Sequence, residues 1–123
     1  MNNEDPKIYN LGILEEKTYA FALRIIKAYN FLTSKNEYVL SKQLLRAGTS
    51  IGANCREATY AQSKMDFINK LSIALKEANE TIYWLELLHD SDFIDDCRLC
   101  CNCFTPCGRS ICASRVPMAG GGG

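Results

Sequence analysis

Residues 41–89, SKQLLRAGTSIGANCREATYAQSKMDFINKLSIALKEANETIYWLELLH, read as two amphipathic helices joined by a short polar turn near Ala61 to Ser63. In the first, Leu44, Gly48, Ile51, Cys55 and Ala58 follow one another at helical steps, with Lys42, Arg46, Thr49, Ala53 and Arg56 on the opposite side. Ser41 is suited to cap its start, because a serine hydroxyl accepts from the unbonded amides of a first turn. A glycine inside a helix costs about 1 kcal/mol relative to alanine. Gly48 and Gly52, with Ala47, Ser50 and Ala53 around them, therefore imply the close approach of a neighbouring helix. Cys55 lies on the apolar stripe and reads as a small buried hydrophobe rather than a reactive thiol.

The second helix of the pair starts at Ser63, where Ser-Lys-Met-Asp resembles a capping box with Asp66 in the usual Glu or Gln place. Ile68, Leu71, Leu75, Ala78, Ile82 and Leu85 form the clearest apolar periodicity in the chain and predict its core face. Another face carries Ile73, Trp84 and Leu88 among Lys70, Glu77, Glu80 and Thr81. A solvated face does not ordinarily hold a tryptophan and two large aliphatics, so Ile73, Glu77, Glu80, Trp84 and Leu88 are expected at a subunit interface. Cover by a fourth helix of the same chain is the plainer alternative. His89, the only histidine, sits at the helix end, where it suits the helix dipole and needs no chemical role.

Upstream, Leu14, Thr18, Phe21, Ile25, Ala28 and Leu32 make a heptad-like stripe, widened by Ala22, Ile26 and Tyr29, that predicts a further helix from Ile13 to about Leu32. Residues 1–12, with Pro6 and Gly12, read as a frayed lead-in, and Thr33 to Val39 as a short connection between antiparallel neighbours. The fold class is all-α, an up-down antiparallel helical bundle with a single core, for which 123 residues suffice.

All 14 acidic residues and 11 of the 14 basic ones lie at or before Asp96, so residues 1–96 carry a net −3 and residues 97–123 a net +3. Neither part is basic enough for charge alone to indicate nucleic acid. The N-terminus lacks a secretory signal and no run approaches the ~18 apolar residues of a membrane span, so a soluble cytoplasmic protein is expected. Residues 1–96 form the bundle domain. Residues 97–123 hold six cysteines, two prolines and no helical period; a metal or disulfide module, an appended non-native tail and a disordered end compete as readings. Cys97, Cys100, Cys103 and Cys107 offer enough sulfur for zinc, but without the usual separated pairs, so no metal or other cofactor is assigned.

The run Gln43 to Asn54 with Glu57, then Ser63-Lys64-x-Asp66-Phe67 and Leu75-Lys76-Glu77-Ala78-x-Glu80-Thr81-x-Tyr83-Trp84-Leu85, resembles the bacterial four-helix-bundle family encoded in intervening sequences of 23S ribosomal RNA genes. The likeness spans about residues 8–94. It implies an up-down four-helix bundle, a ring-like homopentamer and no enzymatic activity. It also implies kinship with accessory proteins of diversity-generating retroelements, which bind nucleic acid and a reverse transcriptase. The family's fourth helix would follow Asp95, where this chain has its cysteine-rich tail.

Two functions are expected from this. One is a non-catalytic oligomer binding RNA or other nucleic acid, with Lys42, Arg46, Arg56, Lys64, Lys70 and Lys76 on phosphates; the same residues could instead form ion pairs with Glu57, Glu77 and Glu80. The other is a protein-interaction scaffold, such as an accessory subunit of a reverse transcriptase complex. No catalytic residue is assigned, because no nucleophile stands with a base and no phosphate loop is present.

Overall fold

The computed structural model describes residues 11–95, so the expectations for residues 1–10 and for the cysteine-rich tail lie outside the described residues. The described residues form three helices: α1 (Leu11–Ser34), α2 (Leu40–Thr59) and α3 (Lys64–Asp90). Short connections make α2 antiparallel to both neighbours, and α2 alone packs extensively on each of them. The result is an all-α up-down bundle with α2 in the middle and no fourth helix among the described residues. Gly12, expected in the lead-in, lies in the first turn of α1.

Helix α2 begins differently from the sequence reading. Its cap is not the Ser41 hydroxyl, which instead donates to the Glu37 carbonyl at 2.8 Å. The Glu37 carboxylate takes over, accepting from the amides of Val39, Leu40 and Ser41 at 3.2, 2.8 and 2.6 Å. Three charge-assisted bonds on one nearly buried carboxylate satisfy donors that a helix start otherwise leaves open. At α3 the sequence reading agrees with the structure: the Asp66 amide donates to the Ser63 hydroxyl at 3.0 Å, and the Asp66 carboxylate accepts from the Gln62 amide at 3.2 Å.

Both α1 and α3 end in the same way. Asn36 and Asp92 adopt left-handed backbone, with φ of 65° and 68°. Around them the Glu37 amide donates to the Leu32 carbonyl and the Phe93 amide to the Leu88 carbonyl, at 3.0 and 2.9 Å. This paired closure tolerates Asn and Asp, the side chains best suited to left-handed backbone after glycine.

The core gathers Ile25, Ala28 and Leu32 of α1, Leu44 of α2, Leu88 of α3 and Ile94 beyond it, flanked by Phe21, Phe31, Trp84 and Phe93. The stripe expected on α2 agrees with this burial, and that on α1 agrees at Ile25, Ala28 and Leu32, whereas Leu14 and Ile26 are exposed. On α3 the burial falls between the two rows, with Leu71, Ala78 and Leu85 of the expected core row partly buried and Leu85 packed on the core. Ala74, Thr81 and Leu88 are its buried residues, whereas Ile68, Leu75 and Ile82 expose 50, 65 and 53 % of their surface. Of the face expected at a subunit interface, Leu88 is buried within the chain and Glu77 and Glu80 bind Arg46 of α2, while Ile73, Glu77, Glu80 and Trp84 stay partly exposed.

Close approach of α1 and α2 explains the glycines. A β-carbon on Gly48 would stand 2.7 Å from Cγ1 of Ile25, itself buried, whereas one on Gly52 would meet Thr18 at an ordinary 3.4 Å. Gly48→Ala should therefore destabilise the fold by about 1–3 kcal/mol through overpacking. Gly52→Ala should be neutral or stabilise by up to about 1 kcal/mol through helix propensity. Urea denaturation followed by circular dichroism separates the two. In the same assay Glu37→Ala should cost about 1–3 kcal/mol, because three amides lose their acceptor.

Candidate functional site

The outward side of α2 and the edge of α3 carry the charged residues that the sequence singles out. Arg46 spans the α2–α3 boundary, donating to Glu80 and, at 3.4 Å, to Glu77. Glu80 also accepts from the indole N–H of Trp84 at 3.1 Å. Burying a tryptophan next to a carboxylate is thereby reconciled, since its one polar group has an acceptor. Lys70 donates to Glu57 at 2.7 Å, the second tie between α2 and α3. That bond, more than the charge of Glu57 acting over distance, raises the Lys70 pKa. The pair's contribution is accordingly complete below the ordinary lysine value of 10.5 and lost only as pH rises past the raised one.

Of the six proposed phosphate ligands, two are thus engaged within the chain. Lys42, Arg56, Lys64 and Lys76 have no carboxylate partner among the described residues. They do not converge on one spot: by helical angle Lys42 and Arg56 share the outward side of α2, Lys76 lies on the neighbouring edge of α3, and Lys64 stands at the start of α3 on another face. The five residues expected at an interface are likewise spoken for internally. Glu77 and Glu80 bind Arg46, Trp84 binds Glu80, Leu88 is fully buried in the core, and Ile73 is half-buried on the same side of α3.

A groove of about 690 Å³ runs over α2 between the first half of α1 and the start of α3. Tyr19, Ala22, Gly52, Ala53 and Tyr60 supply its apolar lining, and Arg56 is its cation without a carboxylate partner among the described residues. Its carboxylates are already occupied: Glu15 accepts from Thr59 at 2.5 Å, Glu57 from Lys70, and Asp66 from Gln62. The sequence reading did not find this groove. Its walls combine one helical row from α1, one from α2 and the start of α3, and nothing local in the sequence says that these rows meet; of the lining residues only Arg56 and Lys70 were singled out as candidate ligands.

Among the described residues no three His, Cys, Asp or Glu side chains gather as a metal would require, and no helix is long and apolar enough to cross a membrane. Cys55 is buried, and burial, with the charge of Glu15 as a lesser cause, raises its thiol above its ordinary value of 9.0. A raised thiol pKa leaves stability intact below 9.0 and lowers it as pH climbs past that point, where only the unfolded thiol ionises. Cys55 should therefore resist iodoacetamide at neutral pH in the folded protein and react in denaturant, as peptide-resolved mass spectrometry would read.

Three antiparallel helices that pair their charges across boundaries define a helical-bundle protein. Residues 13–100 match the model of the 23S rRNA-intervening sequence protein family, and the chain belongs to that family. It is also similar to a crystal structure of a protein with unknown function from the S23 ribosomal protein family of Bacteroides thetaiotaomicron. The two are 57 % identical with a TM-score of 0.69, over 70 % of this chain and 78 % of that one. None of the curated proteins matches it.

Proposed function

We propose that the chain is a non-catalytic, self-assembling helical subunit that binds RNA or another nucleic acid in the cytoplasm. The observation that carries the reading is the division among its cations. Arg46 and Lys70 stitch α2 to α3, while Lys42, Arg56, Lys64 and Lys76 keep their charge available to phosphate. A few unpaired cations bind a polyanion weakly, and assembly multiplies them through effective concentration. Five copies, which the family resemblance implies, would suit this. A second reading, a scaffold for another protein such as a reverse transcriptase, draws on the exposed apolar stripe of α3.

Fluorescence anisotropy with single-stranded RNA over a salt series tests the proposal. Binding should weaken steeply with salt. Replacing Lys42, Arg56 and Lys76 together by alanine should flatten the logarithmic slope by about 2, at about 0.7 per phosphate contact. Lys70→Ala, which removes an already neutralised charge, should change affinity far less. Absence of salt-sensitive binding would favour the protein-scaffold reading.

A further inference from the structure

We propose that the groove over α2 holds unpaired bases of single-stranded RNA, stacked on Tyr19 and Tyr60 while the phosphates lie outside on Arg56 and Lys42, a site that rests on the nucleic-acid reading above and gives it a location. The two tyrosines stand on different walls, Tyr19 on α1 and Tyr60 just past the end of α2. They expose 57 and 79 % of their surface, and neither has a hydrogen bond or ring contact among the described residues. The other two exposed tyrosines are engaged: Tyr38 donates to Asn36, and Tyr83 meets Trp84 edge-on. An uncommitted aromatic face is a stacking platform for any base, since every base has a π face. Between the walls Ala22, Gly52 and Ala53 make a floor of small side chains, and the volume of about 690 Å³ is that of a small-molecule site.

Charge decides which part of a nucleotide enters. Glu15, Glu57 and Asp66 line the groove against Arg56 and Lys70, so its carboxylates outnumber its cations. Lys70 answers Glu57, which leaves Glu15 and Asp66. A phosphate set between those two would be repelled, whereas a neutral base would not. Glu15 uses Oε2 to accept from Thr59 and Asp66 uses Oδ2 to accept from the Gln62 amide, so each keeps a second oxygen for an incoming donor. The amino groups of adenine, cytosine and guanine are such donors, and uracil has no amino group.

The phosphates have a track of their own. Arg56 and Lys42 are exposed on the outward side of α2, two heptads or about 21 Å apart, and neither has a carboxylate partner among the described residues. A backbone laid along that row turns its bases into the groove. Only an unpaired strand can do so, because in a duplex the bases face the opposite strand and stack on one another. None of Ile73, Glu77, Glu80, Trp84 and Leu88, the residues expected at a subunit interface, lines the groove, so assembly through that face leaves it open.

Anisotropy of the full chain with short labelled oligomers of cytidine, adenosine and uridine, and with an RNA duplex of the same length, tests the site. The cytidine and adenosine strands should bind more tightly than the uridine strand and the duplex. Tyr19→Leu and Tyr60→Leu should each weaken binding of the cytidine strand about fivefold to a hundredfold, with the salt slope and the helical circular dichroism unchanged, because both side chains are exposed and neither carries charge. Tyr19→Phe and Tyr60→Phe, which keep the ring, should bind like the parent. Arg56→Ala should instead flatten the slope by about 0.7. Salt-sensitive binding that ignores both leucine variants and treats strand and duplex alike overturns the groove site and leaves the nucleic-acid reading standing. Absence of salt-sensitive binding to all four probes overturns both.

Discussion

The contact between Ile25 and the bare backbone of Gly48 sets the geometry from which the rest follows. Because a side-chain branch of Ile25 occupies the space where a β-carbon would stand, α1 and α2 approach closely at this point. Helix α2 then has one flank left for α3, and that flank carries Arg46 and Glu57 rather than aliphatics. The second interface therefore adds ion pairs to the apolar cluster that Leu44 of α2 shares with Leu88 of α3. Such exposed pairs are worth only about 0–1 kcal/mol each, so they align α3 more than they hold it. Burial of Leu88 and Ile94 at the far end supplies the holding.

This division explains what was legible in the sequence. The faces of α1 and α2 could be read from periodicity because each has one apolar side, and Gly48 declared a close neighbour because a helix tolerates glycine only at a cost. Helix α3 has apolar residues on two sides, and periodicity favours the longer, cleaner row. The row that faces α2 is the mixed one, since Lys70 and Glu77 find their counterions there and Trp84 finds a carboxylate for its N–H. Pairing between distant residues leaves no local mark on a sequence.

The start of α2 failed for a related reason. Ser41 has the right chemistry for a cap, but the buried Glu37 lies four residues earlier and carries a full charge to the same amides. A charged acceptor outcompetes a hydroxyl where both can reach. Of the site, the cations were visible as residue types, but which of them were already neutralised depended on three-dimensional neighbours. The groove was invisible altogether.

The matched closures at Asn36 and Asp92 have a dynamic consequence. The carbonyls they engage belong to Leu32 and Leu88, the same two leucines that are wholly buried in the core. Helix ends ordinarily fray because nothing but the last turn is lost. Here unravelling either end would drag a core leucine into water, so the final turns of α1 and α3 are among the best-protected amides of the chain. The opposite end, where polar residues line the groove, has no such anchor. Among the described residues, opening should therefore start at the groove end and reach the leucine-capped end last.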